Sequence, residues 1–99
     1  MEAIYEFLGV LRRYHGESPW VFVTLDADDA DEIHARVPRS GGFGSVKVNV
    51  HIGETKWSTS IFPDKASGSY MLPIRRAVRD REKLEVGDVA RVILRLDLD

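Results

Sequence analysis

An alternation of apolar and polar side chains over residues 45–62, SVKVNVHIGETKWSTSIF, limits what this chain can fold into more than any other feature. A period of two is typical of a β-strand with one buried face, and Gly53-Glu54 fits a two-residue hairpin turn with glycine first. The resulting register sets Ile52 opposite Thr55, Val50 opposite Trp57, Val48 opposite Thr59 and Val46 opposite Ile61. The other face of this hairpin is predicted to be exposed to solvent, because its side chains are polar: Lys47, Asn49, His51, Lys56, Ser58 and Ser60.

Four further segments read as strands. Residues 4–13 and 20–25 are rich in aromatic and β-branched side chains and apolar on both faces, as in strands buried inside a closed sheet. Gly9 interrupts the first of them, where we expect a bend or bulge. Residues 69–72, SYML, predict a short strand. The last strand sets Ala90, Val92, Leu94, Leu96 and Leu98 against Arg91, Arg95, Asp97 and Asp99, with Ile93 as an exposed exception.

Two segments change to the helical period. In residues 26–37, Asp26 is placed to act as the N-cap, and the inward arc holds Ala27, Ala30, Ile33, His34 and Val37. Pro38 and the glycines that follow end this helix. Pro73 is expected in the first turn of a second helix, whose inward arc holds Ile74, Ala77, Val78 and Leu84.

The order strand, helix, glycine loop and strand occurs twice, once around each helix. Residues 26–36 hold five carboxylates and one arginine, whereas residues 73–83 hold five basic and two acidic groups. We therefore expect an all-β fold with two short helices over residues 1–99: a single double-split, six-stranded β-barrel capped at both ends. The alternative is an open α+β sandwich. Because one chain supplies both halves, we expect a monomer or a weak dimer.

Composition excludes several classes of protein. A chain of 99 residues with 43% hydrophobic side chains can bury one core, and the absence of cysteine excludes disulfides, thiolate zinc sites and a cysteine nucleophile. The formal charge of −2 argues against non-specific attraction of the whole molecule to nucleic acid or anionic membranes. The N-terminus lacks a signal-peptide pattern, and no run approaches the roughly 18 apolar residues of a membrane span. A cytoplasmic protein is expected.

Several motifs that suggest chemistry fail their spacing tests. Counted from Asp26 as a calcium loop, position 6 is Asp31 instead of glycine and position 12 is Val37 instead of glutamate. The GGFG stretch, residues 41–44, follows a helix and precedes a strand, the reverse of a phosphate-binding loop. No zinc-like spacing joins the histidines, His15, His34 and His51. We predict no catalytic residue, no metal site and no cofactor.

The two tryptophans are candidates for platforms that stack on bases or on a ligand. Trp20 follows Pro19 at the start of a strand, and Trp57 lies on the apolar side of the hairpin register. Both positions favour core anchors over exposed platforms.

The basic second helix is the remaining candidate site. Arg75, Arg76 and Arg79 point outward, while Arg81 lies near the apolar arc. Arg76 can pair with Asp80 one turn away, whereas Arg75 and Arg79 are like charges at the same spacing. The cluster is either the solvated side of a structural helix, the favoured interpretation, or a contact surface for an anion or nucleic acid.

The segment LPIRRAVRDREKLEVGDVARVIL, residues 72–94, is similar to the signature of AbrB-type swapped-hairpin barrels: a Leu-Pro strand end, an arginine-bearing helix and Gly-Asp before a strand. With SPWVFV, GGFGSVKVNVHIG, KWSTSIFPDK and YMLP, nearly the whole chain resembles the uncharacterised bacterial family numbered nineteen hundred and five among the domains of unknown function. The resemblance implies a double-split β-barrel on one chain and brings no activity, cofactor or catalytic residue.

The expected function is that of a small soluble, non-enzymatic binding or interaction domain. An anionic ligand or a protein partner is expected in preference to nucleic acid or a membrane. Two alternatives stay open. The first is an AbrB-like nucleic-acid-binding barrel that uses the basic helix, residues 73–83, and the second is a small-molecule-binding barrel or an enzyme without a known motif. Fold-level likeness does not decide among them.

Overall fold

The computed structural model describes residues 3–14, 19–37 and 44–97. In these ranges the chain forms seven strands and two helices: β1 (Ile4–Val10), β2 (Arg12–Arg13), β3 (Val21–Thr24), α1 (Ala27–Arg36), β4 (Val46–Ile52), β5 (Thr55–Asp64), β6 (Ser69–Pro73), α2 (Arg76–Glu82) and β7 (Val89–Leu96). The strands form one curled antiparallel sheet in the order β1-β7-β4-β5-β6-β3-β2. The predicted all-β fold with two helices is therefore confirmed, with one strand more than expected.

The central hairpin has the predicted register. Strands β4 and β5 pair from Val46 opposite Ile61 to Ile52 opposite Thr55, and Val50 lies opposite Trp57. Gly53 has a φ of 57°, the positive value that a turn with glycine first requires. Val46, Val48, Val50 and Ile52 are buried, so the pleat of β4 turns one face to the core and the other outward.

The extra strand arises because the chain changes partners at Leu11. Strand β1 pairs with β7, whereas β2 pairs with β3 at the opposite end of the sheet order. Leu11 is fully buried, its N–H donates to the carbonyl of Asp88 (2.9 Å), and its carbonyl accepts from the N–H of Gly87 (2.8 Å). The strands at the two ends of the order are therefore consecutive in the chain and one residue apart.

The prediction that residues 4–13 are buried on both faces is wrong. Strand β1 buries Tyr5 and Phe7 but exposes Ile4, Leu8 and Val10. The expected bulge at Gly9 is absent as well, because Gly9 pairs with Ala90 in an unbroken register. A Cβ at Gly9 would lie 3.0 Å from the Cβ of Val23, so glycine is needed here for the close approach of β1 to β3.

The core is one cluster of buried side chains from the sheet and both helices. Helix α1 begins after Asp26, the predicted N-cap position, and buries Ala30 and Ile33, whereas Ala27 and His34 of the predicted arc are exposed. The helix packs on β6. The strands and the residues directly beside them supply most of the cluster: Ala3, Tyr5, Phe7, Leu11, Val21, Val23, Leu25, Val46, Val48, Val50, Ile52, Ile61, Tyr70, Leu72, Ala90, Val92, Leu94 and Leu96.

The second helix begins later than predicted. Pro73 is the last residue of β6, and α2 starts at Arg76 because Arg75 has an extended backbone and occupies the N-cap position. Ile74 and Val78 are buried as predicted, while Ala77 is exposed. A left-handed residue, Lys83 with a φ of 55°, ends the helix.

A carboxylate at the end of α2 holds the hairpin turn. Glu82 Oε2 accepts hydrogen bonds from the Thr55 hydroxyl (2.6 Å) and from the Glu54 N–H (3.3 Å). Thr55 is buried, so the carboxylate satisfies a polar group that water does not reach. A Cβ on Gly53 would collide with Glu82 Oε1, so a larger residue at this turn would push the carboxylate away from its hydrogen bonds and would also be strained by the positive φ.

Replacing Gly53 by alanine should therefore destabilise the protein more than replacing Gly68. Both glycines have positive φ, but a Cβ on Gly68 meets nothing within 4 Å. Gly68→Ala is expected to cost about 1 kcal/mol in free energy of unfolding through backbone strain alone, and Gly53→Ala about 1–2 kcal/mol more. Urea denaturation measures both. In a Glu82→Ala background, Gly53→Ala and Gly68→Ala should lower the free energy of unfolding by similar amounts. Equal losses in the natural protein would show that the contact between Gly53 and Glu82 does not affect stability.

The first helix is tied to the sheet through a buried phenol. The Tyr5 hydroxyl donates to Glu32 Oε1 (3.1 Å), and the same carboxylate accepts from Arg36 Nε (3.2 Å). Burial, followed by the hydrogen bond to Glu32 and its negative charge, raises the pKa of Tyr5 above 10.0. Burial also raises the pKa of Tyr70. Both phenols are therefore held neutral in the folded state.

The contribution of Tyr5 to stability should disappear in alkali. Since its folded pKa lies above the unfolded value of 10.0, the contribution is complete below that value and declines as pH rises through the folded pKa. Tyr5→Phe should cost about 0.5–1.5 kcal/mol at neutral pH by loss of the hydrogen bond, and this gap should narrow above pH 10. Urea titrations at stepped pH measure it. A difference in free energy of unfolding between Tyr5→Phe and the natural protein that stays constant above pH 10 would refute the assignment.

Candidate ligand-binding site

The outward faces of four neighbouring strands bring together side chains from distant parts of the chain. In one row across the sheet, Ile4 of β1 lies opposite Arg95 of β7, Arg95 opposite Asn49 of β4, and Asn49 opposite Ser58 of β5. In the next row, His51 lies between Ile93 and Lys56. Because neighbouring strands are about 4.8 Å apart, each row places its side chains side by side.

These two rows line a groove of about 400 Å³, within the size range of small-molecule sites. The lining residues are Ile4, Asn49, Val50, His51, Lys56, Trp57, Ser58, Ile93 and Arg95.

The polar wall of the groove is cationic and rich in hydrogen-bonding groups. Lys56 and Arg95 carry positive charge, and the lining in the described ranges includes no aspartate or glutamate. Neither Lys56 nor His51 forms an ion pair with any residue that the structure describes. Ser58 donates from its hydroxyl to Asn49 Oδ1 (2.6 Å), which orients the Asn49 amide.

The apolar wall is formed by Ile4 and Ile93. Ile4 is 55% exposed, and Ile93, predicted to be exposed, is half-buried. Trp57 belongs to the lining by its position between Lys56 and Ser58, but it lies opposite the buried Val50 on the inward side of the register and packs against the core, so it serves partly as the predicted core anchor. Its indole Nε1 is buried and has no hydrogen-bond partner among the described residues, which is an uncommon condition for a tryptophan.

The prediction that Trp20 is a core anchor is wrong. Its side chain is 50% exposed and lies beside Tyr14, with ring centroids 6.4 Å apart. Tyr14 in turn meets the ring of Phe22 edge-on at 5.9 Å. Trp20 therefore belongs to a surface aromatic cluster, separate from the groove lining.

The structure places Arg76 and Arg79 on α2 and Arg75 at its N-cap position, and all three lie outside the groove. Arg79 Nε donates to the carbonyl of Ile74 (3.1 Å), which engages its side chain at the start of its own helix. Arg76 lies 3.8 Å from Asp80, a loose and exposed pair, as its spacing predicted. Arg75 is exposed at the N-cap position. Whether this surface contacts an anion stays a prediction.

The three histidines and the glycine stretch lie in unrelated places. His51 is in the groove and half-buried, and His34 is exposed on α1. His15 and residues 41–43 of the GGFG stretch lie outside the described residues, as do Leu98 and Asp99. Within the described residues, no group of three or more His, Asp or Glu side chains is arranged to hold a metal ion. No helix in those ranges is long and apolar enough to cross a bilayer.

Sequence reasoning assigned the polar groove residues to the wet face of a hairpin but did not identify a site. The signal for Asn49, His51, Lys56 and Ser58 was their common face in the β4–β5 register. Arg95 and Ile93 join them only because β7 pairs with β4 across more than 40 positions of sequence, as in Asn49 opposite Arg95. Local patterns do not encode that pairing.

Comparison with known proteins adds a family match. The model of a family described as "Domain of unknown function (DUF1905)" matches residues 7–94 of the 99-residue chain. The matched range contains every strand and helix except the start of β1 and the end of β7. The comparison with curated proteins finds no match.

Proposed function

We propose that this chain, which belongs to the DUF1905 family of domains of unknown function, is a non-enzymatic module that holds a small organic molecule in the groove on the outer face of its sheet. One observation carries the proposal. The groove of about 400 Å³ combines convergent polar groups with an apolar wall, which is the usual make-up of a small-molecule site.

The arrangement of the polar groups supports binding over catalysis. Nucleophilic catalysis by serine requires a base within hydrogen-bonding distance of the hydroxyl. The Ser58 hydroxyl instead donates a hydrogen bond to the amide oxygen of Asn49. His51 lies in the neighbouring row of the sheet, opposite Lys56 and Ile93. The groove therefore offers recognition groups without a nucleophile and base in contact.

A binding site in this groove should be testable by amide NMR. In a screen of fragments at millimolar concentration, chemical shift changes should cluster at Asn49, His51, Lys56, Ser58 and Arg95. The two indole N–H signals provide an internal control, since Trp57 lines the groove and Trp20 does not. The Trp57 signal should shift with the groove amides, and the Trp20 signal should remain in place.

Filling the groove provides the matched variants for that screen. Ser58→Tyr should abolish the shifts, because the ring occupies the groove space beside Asn49. Ser60→Tyr should bind as the natural protein does, since Ser60 lies on the same strand opposite Lys47 and outside the lining. Fragments that bind with typical millimolar affinity would be detected at a concentration of about 10 mM. If no fragment shifts the groove amides at that concentration, the proposed function is wrong.

The finer architecture belongs to the same proposal. We infer that the curled sheet closes through Leu11 into a double-split barrel, with β1 and β2 acting as one bent strand, and that this AbrB-like arrangement is complete in one chain. The consecutive placement of β1 and β2 and the backbone bonds of Leu11 support it. The cysteine-free composition is compatible with a reducing cytoplasm, which stays a prediction.

A self-contained barrel should be monomeric. Light scattering at about 0.15 M salt should give the mass of one 11.2 kDa chain, and the Leu11 N–H should exchange as slowly as the amides of β1 and β7. A dimer that resists salt, together with fast exchange at Leu11, would show instead that closure requires a second chain.

Nucleic-acid binding through the basic helix gains no specific support. Arg79 is engaged with the carbonyl of Ile74, and Arg76 faces Asp80. The molecule as a whole carries a formal charge of −2. Contact of Arg75, Arg76 and Arg79 with an anion therefore remains a prediction.

A further inference from the structure

The chemistry of the lining points to a ligand class: we infer that the groove selects an organic anion, a carboxylate or phosphate group attached to a compact apolar body. This inference rests on the proposed function, because it specifies what the same groove binds. It is carried by three independent features of the lining: its charge, the orientation of its hydrogen-bonding groups, and the position of its apolar wall.

The charge of the groove is opposite to that of the molecule. The chain has a formal charge of −2, yet the lining contains Lys56, Arg95 and His51 and includes no carboxylate in the described ranges. Among the described residues, the acidic side chain in the same rows is Glu6, opposite Ile93, and it is paired with Arg91 (3.3 Å). A ligand cation would meet the like charge of Lys56, which has no ionic partner among the described residues, whereas an anion would meet a charge-assisted donor.

The polar pair at the floor of the groove also presents a donor. Because the Ser58 hydroxyl donates to Asn49 Oδ1, the amide oxygen of Asn49 is already used as an acceptor. The Asn49 NH₂ group is the donor that this side chain can offer to a ligand. The Ser58 oxygen keeps acceptor capacity for a hydroxyl on the ligand. Asn49 lies directly opposite Arg95, so the amide stands beside a guanidinium in the same row of the sheet.

The apolar wall argues against a bare inorganic anion. Ile4 lies opposite Arg95 in one row, and Ile93 lies opposite His51 in the other, so the apolar side chains flank the polar ones on the β1 and β7 side. Burying a compact hydrocarbon against Ile4 and Ile93 would add hydrophobic stabilisation at about 25 cal/mol per Å². The groove volume of about 400 Å³ also limits the ligand to a small molecule.

A set of cyclohexyl compounds with different head groups tests the inference. The set comprises cyclohexanecarboxylate, cyclohexyl phosphate, cyclohexanecarboxamide and cyclohexylmethylammonium, with inorganic phosphate as the anion that lacks a body. Affinities are measured by NMR titration at pH 7 and low salt. The carboxylate or the phosphate ester should bind at least about tenfold more tightly than the isosteric amide, because each forms charge-assisted bonds. The ammonium compound and inorganic phosphate should bind more weakly than either. The first two arms identify which acid the groove prefers.

Two lysines on the same face of the hairpin provide the matched variants. Lys56→Gln should lower the affinity for the tightest-binding anion by about tenfold, since the charge is lost. It should change the affinity for cyclohexanecarboxamide by less than about twofold. Lys47→Gln should change neither affinity by more than about twofold, because Lys47 lies opposite Ser60 and outside the lining. Affinity for the anion should also fall as salt is raised, while affinity for the amide should not.

The outcomes separate this inference from the proposed function. If the amide binds as tightly as the carboxylate, or the ammonium compound binds best, the groove is a ligand site but the anion inference is wrong. If anions shift the amides of Arg75, Arg76 and Arg79 instead of the groove, the anion site lies on α2 and the inference is again wrong. If the fragment screen itself produces no groove shifts, the proposed function fails with it.

Discussion

The pairing of β4 with both of its neighbours is the constraint on which the rest of the structure depends. Its two registers, with β5 and with β7, determine which side chains of three strands point inward and which point outward. The inward set, including Val48, Val50 and Leu94, forms the middle of the core. The outward set forms the groove. A slip of one residue in either register would exchange core and groove residues, so stability itself maintains the composition of the site.

The two helices are secured to this sheet by carboxylates at different positions. Glu82 at the end of α2 binds the hairpin turn through Thr55, and Glu32 of α1 accepts the hydrogen bond of the buried Tyr5. Both contacts serve stability, as does the use of Arg79 against the carbonyl of Ile74. Some charged side chains of the two helices are therefore engaged in contacts that stabilise the fold. The groove is different, because Lys56 and His51 have no ionic partner in the described part of the chain.

A sheet face can provide a binding site without catalytic geometry. Residues that project from neighbouring strands stand side by side at fixed spacing, which suits recognition of a head group and an apolar body at once. Trp57 links this surface to the interior, since it packs on the core while its position on β5 lies between Lys56 and Ser58 of the lining. The pairing of β4 with both neighbours holds the backbone of the polar residues at fixed spacing, and this limits the entropy that binding costs.

Local features of the sequence alone determined the β4–β5 register, the inward face of β7, the existence of both helices and the family resemblance. They did so because alternation, glycine turns and helical periods are properties of contiguous residues. Tertiary structure decided the partner change at Leu11, the exposed face of β1, the exposure of Trp20 and the late start of α2. It also decided the site. Arg95 and Ile93 reach Asn49 and His51 only through a pairing between strands distant in sequence, and such a pairing depends on how the whole sheet curls around its core.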